Sequence, residues 1–198
     1  MPSSVEITVP QLSRLIGLPG APTLIDVRSS EDIKTNACLI PTARPLCLQS
    51  ASKWTIQYNG QRVVVCCGDG GHMSRGAAAW LRQAGANAQT LEGGFDAWRR
   101  ADQPLVRTNH LPSRDDSGRT IWVTRARPKI IRIACPWLIH RFIDPNAVFL
   151  FVPPSEVAAV AESFRATPFD TGHGIWNDRD DICTFDVMLE EFGLRIEA

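Results

Sequence analysis

The stretch Arg62-Val63-Val64-Val65-Cys66-Cys67-Gly68-Asp69-Gly70-Gly71-His72-Met73-Ser74-Arg75 decides the fold of the first half of this chain. Its opening is β-branched and apolar on both faces, the pattern of a parallel strand covered on both sides. Gly68, Gly70 and Gly71 then let the backbone curl without a Cβ clash. Ser74 is placed to cap a helix over residues 75–84, with Gly85 as its stop. Working outward, the same alternation of strand and helix signals recurs. Thr8 caps a helix over residues 9–16 that ends at Gly17, and residues 23–27 form a short apolar strand. Residues 88–91 read as another strand and lead through Gly93-Gly94 into a helix over residues 95–100. Such alternation predicts an α/β domain over residues 1–106, a parallel sheet flanked by helices.

Residues 107–119 are polar and read as a linker. Residues 120–198 then predict a smaller α+β segment. Its strands are expected at 120–124 and 148–152, and its helices at 135–142 and 156–164. Trp122, Trp137 and Phe142 are expected in its core.

Across all 198 residues, 21 Lys and Arg balance 21 Asp and Glu, which argues against a general polyanion binder. The balance is local cancellation. Residues 119–143 carry six cations (Arg119, Arg125, Arg127, Lys129, Arg132 and Arg141) and no acid, while residues 144–198 carry eleven acids and three cations. The cationic stretch either pairs with the acidic remainder or cradles an oxyanion through Arg125, Arg127, Lys129, Arg132 and Arg141. Its sparse aromatic interleaving does not favour nucleic acid. No apolar run reaches 18 residues and the N-terminus lacks a signal-peptide profile, so the expectation is a cytoplasmic protein with no membrane partner. Six cysteines without a zinc spacing read as reduced thiols, with Cys38, Cys47 and Cys66 as small buried hydrophobes. Cys135, His140, Cys183 and Asp186 are ligand-type residues at no standard metal spacing, and no metal or cofactor is expected.

Cys67 stands apart because it closes a strand and precedes a glycine loop that enters a helix. Ligands of open parallel sheets collect at such strand ends. Helix dipole and loop amides there favour an oxyanion or a thiolate, so Cys67 is the candidate nucleophile. Gly68, Asp69, Gly70, Gly71, His72, Met73, Ser74 and Arg75 are the candidate anion-binding loop.

Residues 5–106 resemble a single rhodanese-like (sulfurtransferase) domain. The resemblance is carried by Asp26-Val27-Arg28, by Ile40-Pro41-Thr42-Ala43 with Thr42 where the family has Gly, by the 63–81 strand and helix, and by Leu91-Glu92-Gly93-Gly94-Phe95-Asp96-Ala97-Trp98. It implies a loop cysteine that takes sulfane sulfur as a persulfide and passes it on, with a small thiol or sulfane-sulfur donor and acceptor as partners. It also implies that Asp26 and Arg28 pair. In the family's six-residue loop, counting back from Ser74 and Gly71 puts Gly68 at the catalytic position. Cys67 serves only if the strand end bulges by one residue.

The segment from Trp122 to Pro145, with Ala166-Thr167-Pro168-Phe169-Asp170 and Cys183-Thr184-Phe185-Asp186, resembles the C-terminal domain of the chromate-resistance regulator family. Asp178 stands where that family often has His, and the segment to Ala198 is shorter than the family's usual domain, as a truncated form would be. Two functions therefore stand open. One is a sulfurtransferase working through a Cys67 persulfide and fused to a chromate-resistance module. The other is a non-catalytic sensor or regulator that binds chromate or a similar oxyanion.

Overall fold

The computed structural model describes residues 5–127 and 129–194, and the chain divides into two compact units between Leu105 and Val106. In the first unit the strands are β1 (Glu6–Ile7), β2 (Thr23–Asp26), β3 (Cys38–Leu39), β4 (Arg44–Pro45), β5 (Arg62–Cys66) and β6 (Asn87–Leu91). Five of them make one parallel sheet in the order β1-β6-β5-β2-β4. The helices are α1 (Val9–Ser13), α2 (Ser30–Asn36), α3 (Ala51–Trp54), α4 (His72–Gln83) and α5 (Gly94–Arg100). The parallel α/β architecture expected for this half is the one found.

β5 is central, and its register is unbroken: Thr23 faces Val63, Leu24 faces Val64, Ile25 faces Val65 and Asp26 faces Cys66. Alternation along it sends Val63, Val65 and Cys67 into one core, against Ala77, Ala78 and Leu81 of α4 and Trp54 and Tyr58. Cys66 points to the other face. There burial, then the Asp26 carboxylate, pushes its thiol well above the usual range. Asp26 and Arg28 do pair. Arg28 Nη2 donates to Asp26 Oδ2 at 2.6 Å and to the Cys38 carbonyl at 2.9 Å, and its guanidinium lies over Phe95 at 3.6 Å. Thr42 sits at φ 67°, a left-handed backbone that explains why glycine suits that turn.

In the second unit β7 (Val106–Arg107), β8 (Ile121–Arg125), β9 (Val148–Val152) and β10 (Thr167–Pro168) accompany α6 (Ile131–Leu138), α7 (Val157–Phe164) and α8 (Thr184–Phe192). β10-β8-β9 form a wholly parallel sheet. The segment is therefore α/β rather than the expected α+β, because α6 and α7 act as crossovers between its strands. Residues 139–143 continue α6 as a π-helical turn.

Trp122, Phe169, Trp176 and Phe192 fill this unit's core, whereas Trp137 is 52% exposed, contrary to its expected burial. Residues 107–119 belong to this unit: Arg114 reaches the buried Asp144 at 3.1 Å, and Arg119 is paired with Asp115. Among the described residues no helix is long and apolar enough to cross a membrane.

α8 starts at Thr184, whose amide and hydroxyl both donate to Asp178 Oδ1, at 2.8 and 2.7 Å. The Thr184 hydroxyl, then its amide, holds the Asp178 carboxyl below the value of 3.8 it has when free. A depressed folded-state pKa means the stabilisation is complete above the unfolded value and is lost as pH falls through the folded one. Asp178→Ala is expected to cost about 1 kcal/mol at neutral pH, as loss of a helix cap does. Urea unfolding at stepped pH should show the wild-type and variant curves converging in acid. A gap that stays constant down to the lowest pH would contradict this role.

Candidate functional site

The loop after β5 is pinned from the far side of the sheet edge. The first amides of α5 donate backward: Phe95 N to the Cys67 carbonyl at 2.8 Å and Asp96 N to the Gly68 carbonyl at 2.9 Å. A Cβ on Gly94 would lie 2.3 Å from the Cys67 oxygen and 2.7 Å from the Gly68 oxygen, so glycine is obligatory for this approach. The strand does not bulge. Val27 N still takes the Cys66 carbonyl at 2.9 Å, and Cys67 keeps the inward direction set by Val63 and Val65.

Cys67, the expected nucleophile, is consequently a core group. It is 0% exposed, and its Sγ donates to Ser74 Oγ at 3.2 Å and approaches Asp69 Oδ1 at 3.5 Å. The next residue faces the other way. A Cβ built on Gly68 meets nothing within 4 Å, and Gly68 is not among the positive-φ glycines. Gly68 thus holds the outward position that a loop nucleophile would occupy.

The rest of the predicted loop is divided between support and surface. α4 begins at His72, three residues before the helix expected at Arg75, with Gly71 rather than Ser74 at the cap. Ser74 lies buried in the first turn, where its hydroxyl donates to the Gly71 carbonyl at 3.1 Å and accepts from the Cys67 thiol. Asp69 folds back to accept the Gly71 amide at 2.8 Å. That bond, then the Cys67 thiol near its Oδ1, lowers its pKa. Gly70, at φ 74°, packs on the Gly93 and Gly94 amides. His72 and Arg75 are exposed, with Arg75 3.5 Å from Glu6, and Met73 packs on the core.

In the second unit the structure gathers part of the cationic stretch at the carboxyl edge of the sheet. Arg125 closes β8 and Arg132 lies in the first turn of α6, and both reach Asp170, two residues past β10. Arg132 Nε is 2.7 Å from Asp170 Oδ2. Arg125 Nη2 is 3.4 Å from Oδ1, and its Nε donates to the Asp170 carbonyl at 2.9 Å. Arg132 and Asp170 are each 4% exposed. Arg132 Nη1 also donates to the Arg127 carbonyl.

Thr124, fully buried between Val123 and Arg125, has a hydroxyl without a partner among the described residues. Arg125 and Lys129 lie close enough to lower Asp178 further. Burial, then Asp170, Cys183 and Asp178, pushes the Cys135 thiol up to about 12. The Cys183 thiol donates to Asp186 Oδ2 at 3.1 Å, and no three His, Cys, Asp or Glu side chains converge as a metal site among the described residues.

Arg127 and Lys129 are exposed. Arg141 lies two and a half helical turns from Arg132, over Trp137 and Phe142 at 5.5 and 5.4 Å, rather than beside the others. Asp170 and Thr124 are the participants not singled out from sequence. Their one signal there is membership of the strings that carry the resemblance.

Residues 8–101 match the Rhodanese-like domain family, and residues 122–198 match "ChrB, C-terminal domain". The chain joins a rhodanese-like domain to a ChrB C-terminal domain. Protein ChrB of Cupriavidus metallidurans is 38% identical over 100 residues. That match covers 46% of this chain and 28% of that protein, so the chain spans under a third of this curated relative. A rhodanese-related protein of Thermoplasma volcanium is 26% identical over 52% of this chain and 97% of its own, with a TM-score of 0.45. A thiosulfate sulfurtransferase of Pseudomonas aeruginosa is 24% identical over 55% of this chain and 20% of its own, with a TM-score of 0.46.

With position 68 facing open space, Gly68→Cys should supply an outward thiol. Iodoacetamide should alkylate it at least about tenfold faster than Cys67 in the wild type, since thiol reactivity follows access to the thiolate. Peptide mapping of the products separates the two sites. Equal rates at positions 67 and 68 would contradict the assignment of side-chain directions.

Proposed function

We propose that this chain is a non-catalytic, oxyanion-responsive binding protein. In this account the rhodanese-like domain is a scaffold without a presented nucleophile, and the ChrB C-terminal domain holds chromate or a similar tetrahedral oxyanion. The observation that carries the proposal is the pair of side-chain directions at the strand end: Cys67 lies 0% exposed in the core, while Gly68 faces open space without a thiol. Sulfur transfer needs a sulfur atom that meets donor and acceptor in turn, and a thiol held among Val65, Ala77 and Trp54 meets neither.

The second domain supports the oxyanion. Arg125, Lys129 and Arg132 outnumber the two carboxylates beside them, Asp170 and Asp178, at the carboxyl edge of a parallel sheet. Guanidinium forks suit tetrahedral oxyanions, and the buried Thr124 hydroxyl is a spare donor at the same edge. The cysteines here do not need to react: Cys135, with its pKa raised to about 12, stays a neutral thiol at physiological pH.

Two measurements test this. Isothermal titration with chromate, molybdate and sulfate should give saturable heat with at least one anion. Arg125→Gln, chosen because Arg125 is partly exposed and its removal leaves the Arg132–Asp170 pair intact, should weaken binding about tenfold, or about 1.4 kcal/mol. Incubation with thiosulfate should leave Cys67 without a sulfur adduct by mass, and Gly68→Cys should gain one. No saturable heat with any anion would remove the binding half of the proposal. A Cys67 persulfide would restore the sulfurtransferase alternative.

A further inference from the structure

We propose that α6 presents Ile130, Ile133 and Trp137 as a shallow anchor that seats the ChrB C-terminal domain on an anionic bilayer surface. Trp137 and Cys47 are both exposed against their expected burial. Cys47 is an isolated thiol beside Gln49, whereas Trp137 belongs to a continuous stripe.

α6 and its π-helical turn run from Ile131 to Ile143. One side of this helix is spent on the core, where Arg132, Cys135, Leu138, Ile139 and Ile143 are buried. The opposite side carries Ile130, already helical in its backbone, then Ile133 and Trp137, at the i, i+3, i+7 spacing of a single face. Their exposures are 85%, 72% and 52%.

Cations bracket the stripe. Arg127 and Lys129 are exposed before it, and the Arg141 guanidinium lies 5.5 Å over the Trp137 ring at its far end. Residues 119–143 contain no acid, and the Asp170 carboxylate meets α6 on its buried side, at Arg132. An apolar stripe between cations is the pattern of a helix that lies in a membrane interface. Headgroup phosphates meet the cations, the acyl boundary takes the isoleucines, and an indole favours the level between them. No spanning helix is needed for this.

Charge and area set the other occupants aside. A second copy on the same stripe brings cations against cations, in parallel or antiparallel pairing. Nucleic acid would meet the cations and leave Ile130 and Ile133 in water. The three side chains offer on the order of 400 Å², about half of what each side of a standard protein complex buries.

The test is cosedimentation of the full chain with vesicles of phosphatidylcholine and phosphatidylglycerol at about 3:1, against phosphatidylcholine alone. Binding should be saturable on the anionic vesicles and at least about tenfold weaker on the neutral ones. Ile130→Ser/Ile133→Ser should lower it at least about tenfold as well. Both isoleucines are exposed, so thermal unfolding should be unchanged in this variant. No binding to anionic vesicles, or equal binding by wild type and variant, would overturn the proposal. So would a random-sequence DNA duplex that binds where vesicles do not, or a dimer that the variant abolishes without any vesicle binding.

Brominated phosphatidylcholine locates the face, because it quenches indoles that enter the bilayer. Quenching should appear in the wild type and fall severalfold in Trp137→Phe, which still sediments with the vesicles. Undiminished quenching in Trp137→Phe would put another surface on the bilayer, such as that of Trp80, 53% exposed, and overturn the assignment to α6.

Discussion

The carbonyls of Cys67 and Gly68 are held by the Phe95 and Asp96 amides in the first turn of α5, and Gly94 allows that approach because it carries no side chain. Much of the rhodanese-like domain depends on this clamp. It closes the sheet edge onto α5, satisfies amides that a helix start would otherwise leave unpaired, and fixes the plane of the strand end. With that plane fixed and no bulge in β5, alternation sends residue 67 inward and residue 68 outward. The thiol and the open position cannot be exchanged without breaking two backbone hydrogen bonds. The glycine pair at 93 and 94 therefore governs chemistry through geometry, although neither residue has a side chain to contribute.

The ChrB C-terminal domain rests on a different constraint, a buried charge that must be compensated. Arg132 and Asp170 are each nearly inaccessible, and the desolvation of both ions is offset by their close pairing, by Arg125 beside Asp170 and by the Arg127 carbonyl that accepts from Arg132. Arg125 reaches the same carboxylate with donor capacity that the carboxylate does not exhaust. The proposed anion site uses this arrangement: Arg132 is already desolvated and oriented, and the partly exposed Arg125 beside it stays open to a ligand.

Much of this fold was legible in the amino-acid sequence, and the misses have specific physical causes. β5 and β9 read directly because an uninterrupted β-branched or apolar run of five has few other uses. The direction of Cys67 was open because the motif count placed Gly68 at the catalytic position and left a bulge as the alternative. Register with β2 decided against the bulge, and register is a tertiary property. α4 began early because its cap is a backbone position at Gly71, while Ser74 spends its hydroxyl on Gly71 and the buried thiol. The parallel direction of the second domain's strands is set by its crossovers, which the strand patterns themselves do not name. Trp137 is exposed against its expected burial because α6 is apolar on most sides, so its pattern names no solvent face. The clustered cations were legible; Asp170, which arranges two of them, lies 38 residues beyond Arg132 and carried no signal of its own.

The most direct test of the central claim is the labelling rate of Cys67 in the native protein as denaturant is raised from zero, with each thiol resolved by peptide mapping. A core thiol reacts only through unfolding of its domain. The account predicts that Cys67 labelling is suppressed by the domain's full unfolding free energy and rises with the same denaturant dependence as global unfolding. Labelling in native buffer within about tenfold of a free thiol, insensitive to denaturant, would contradict it, because it would place the sulfur in the loop and return the domain to sulfur-transfer chemistry.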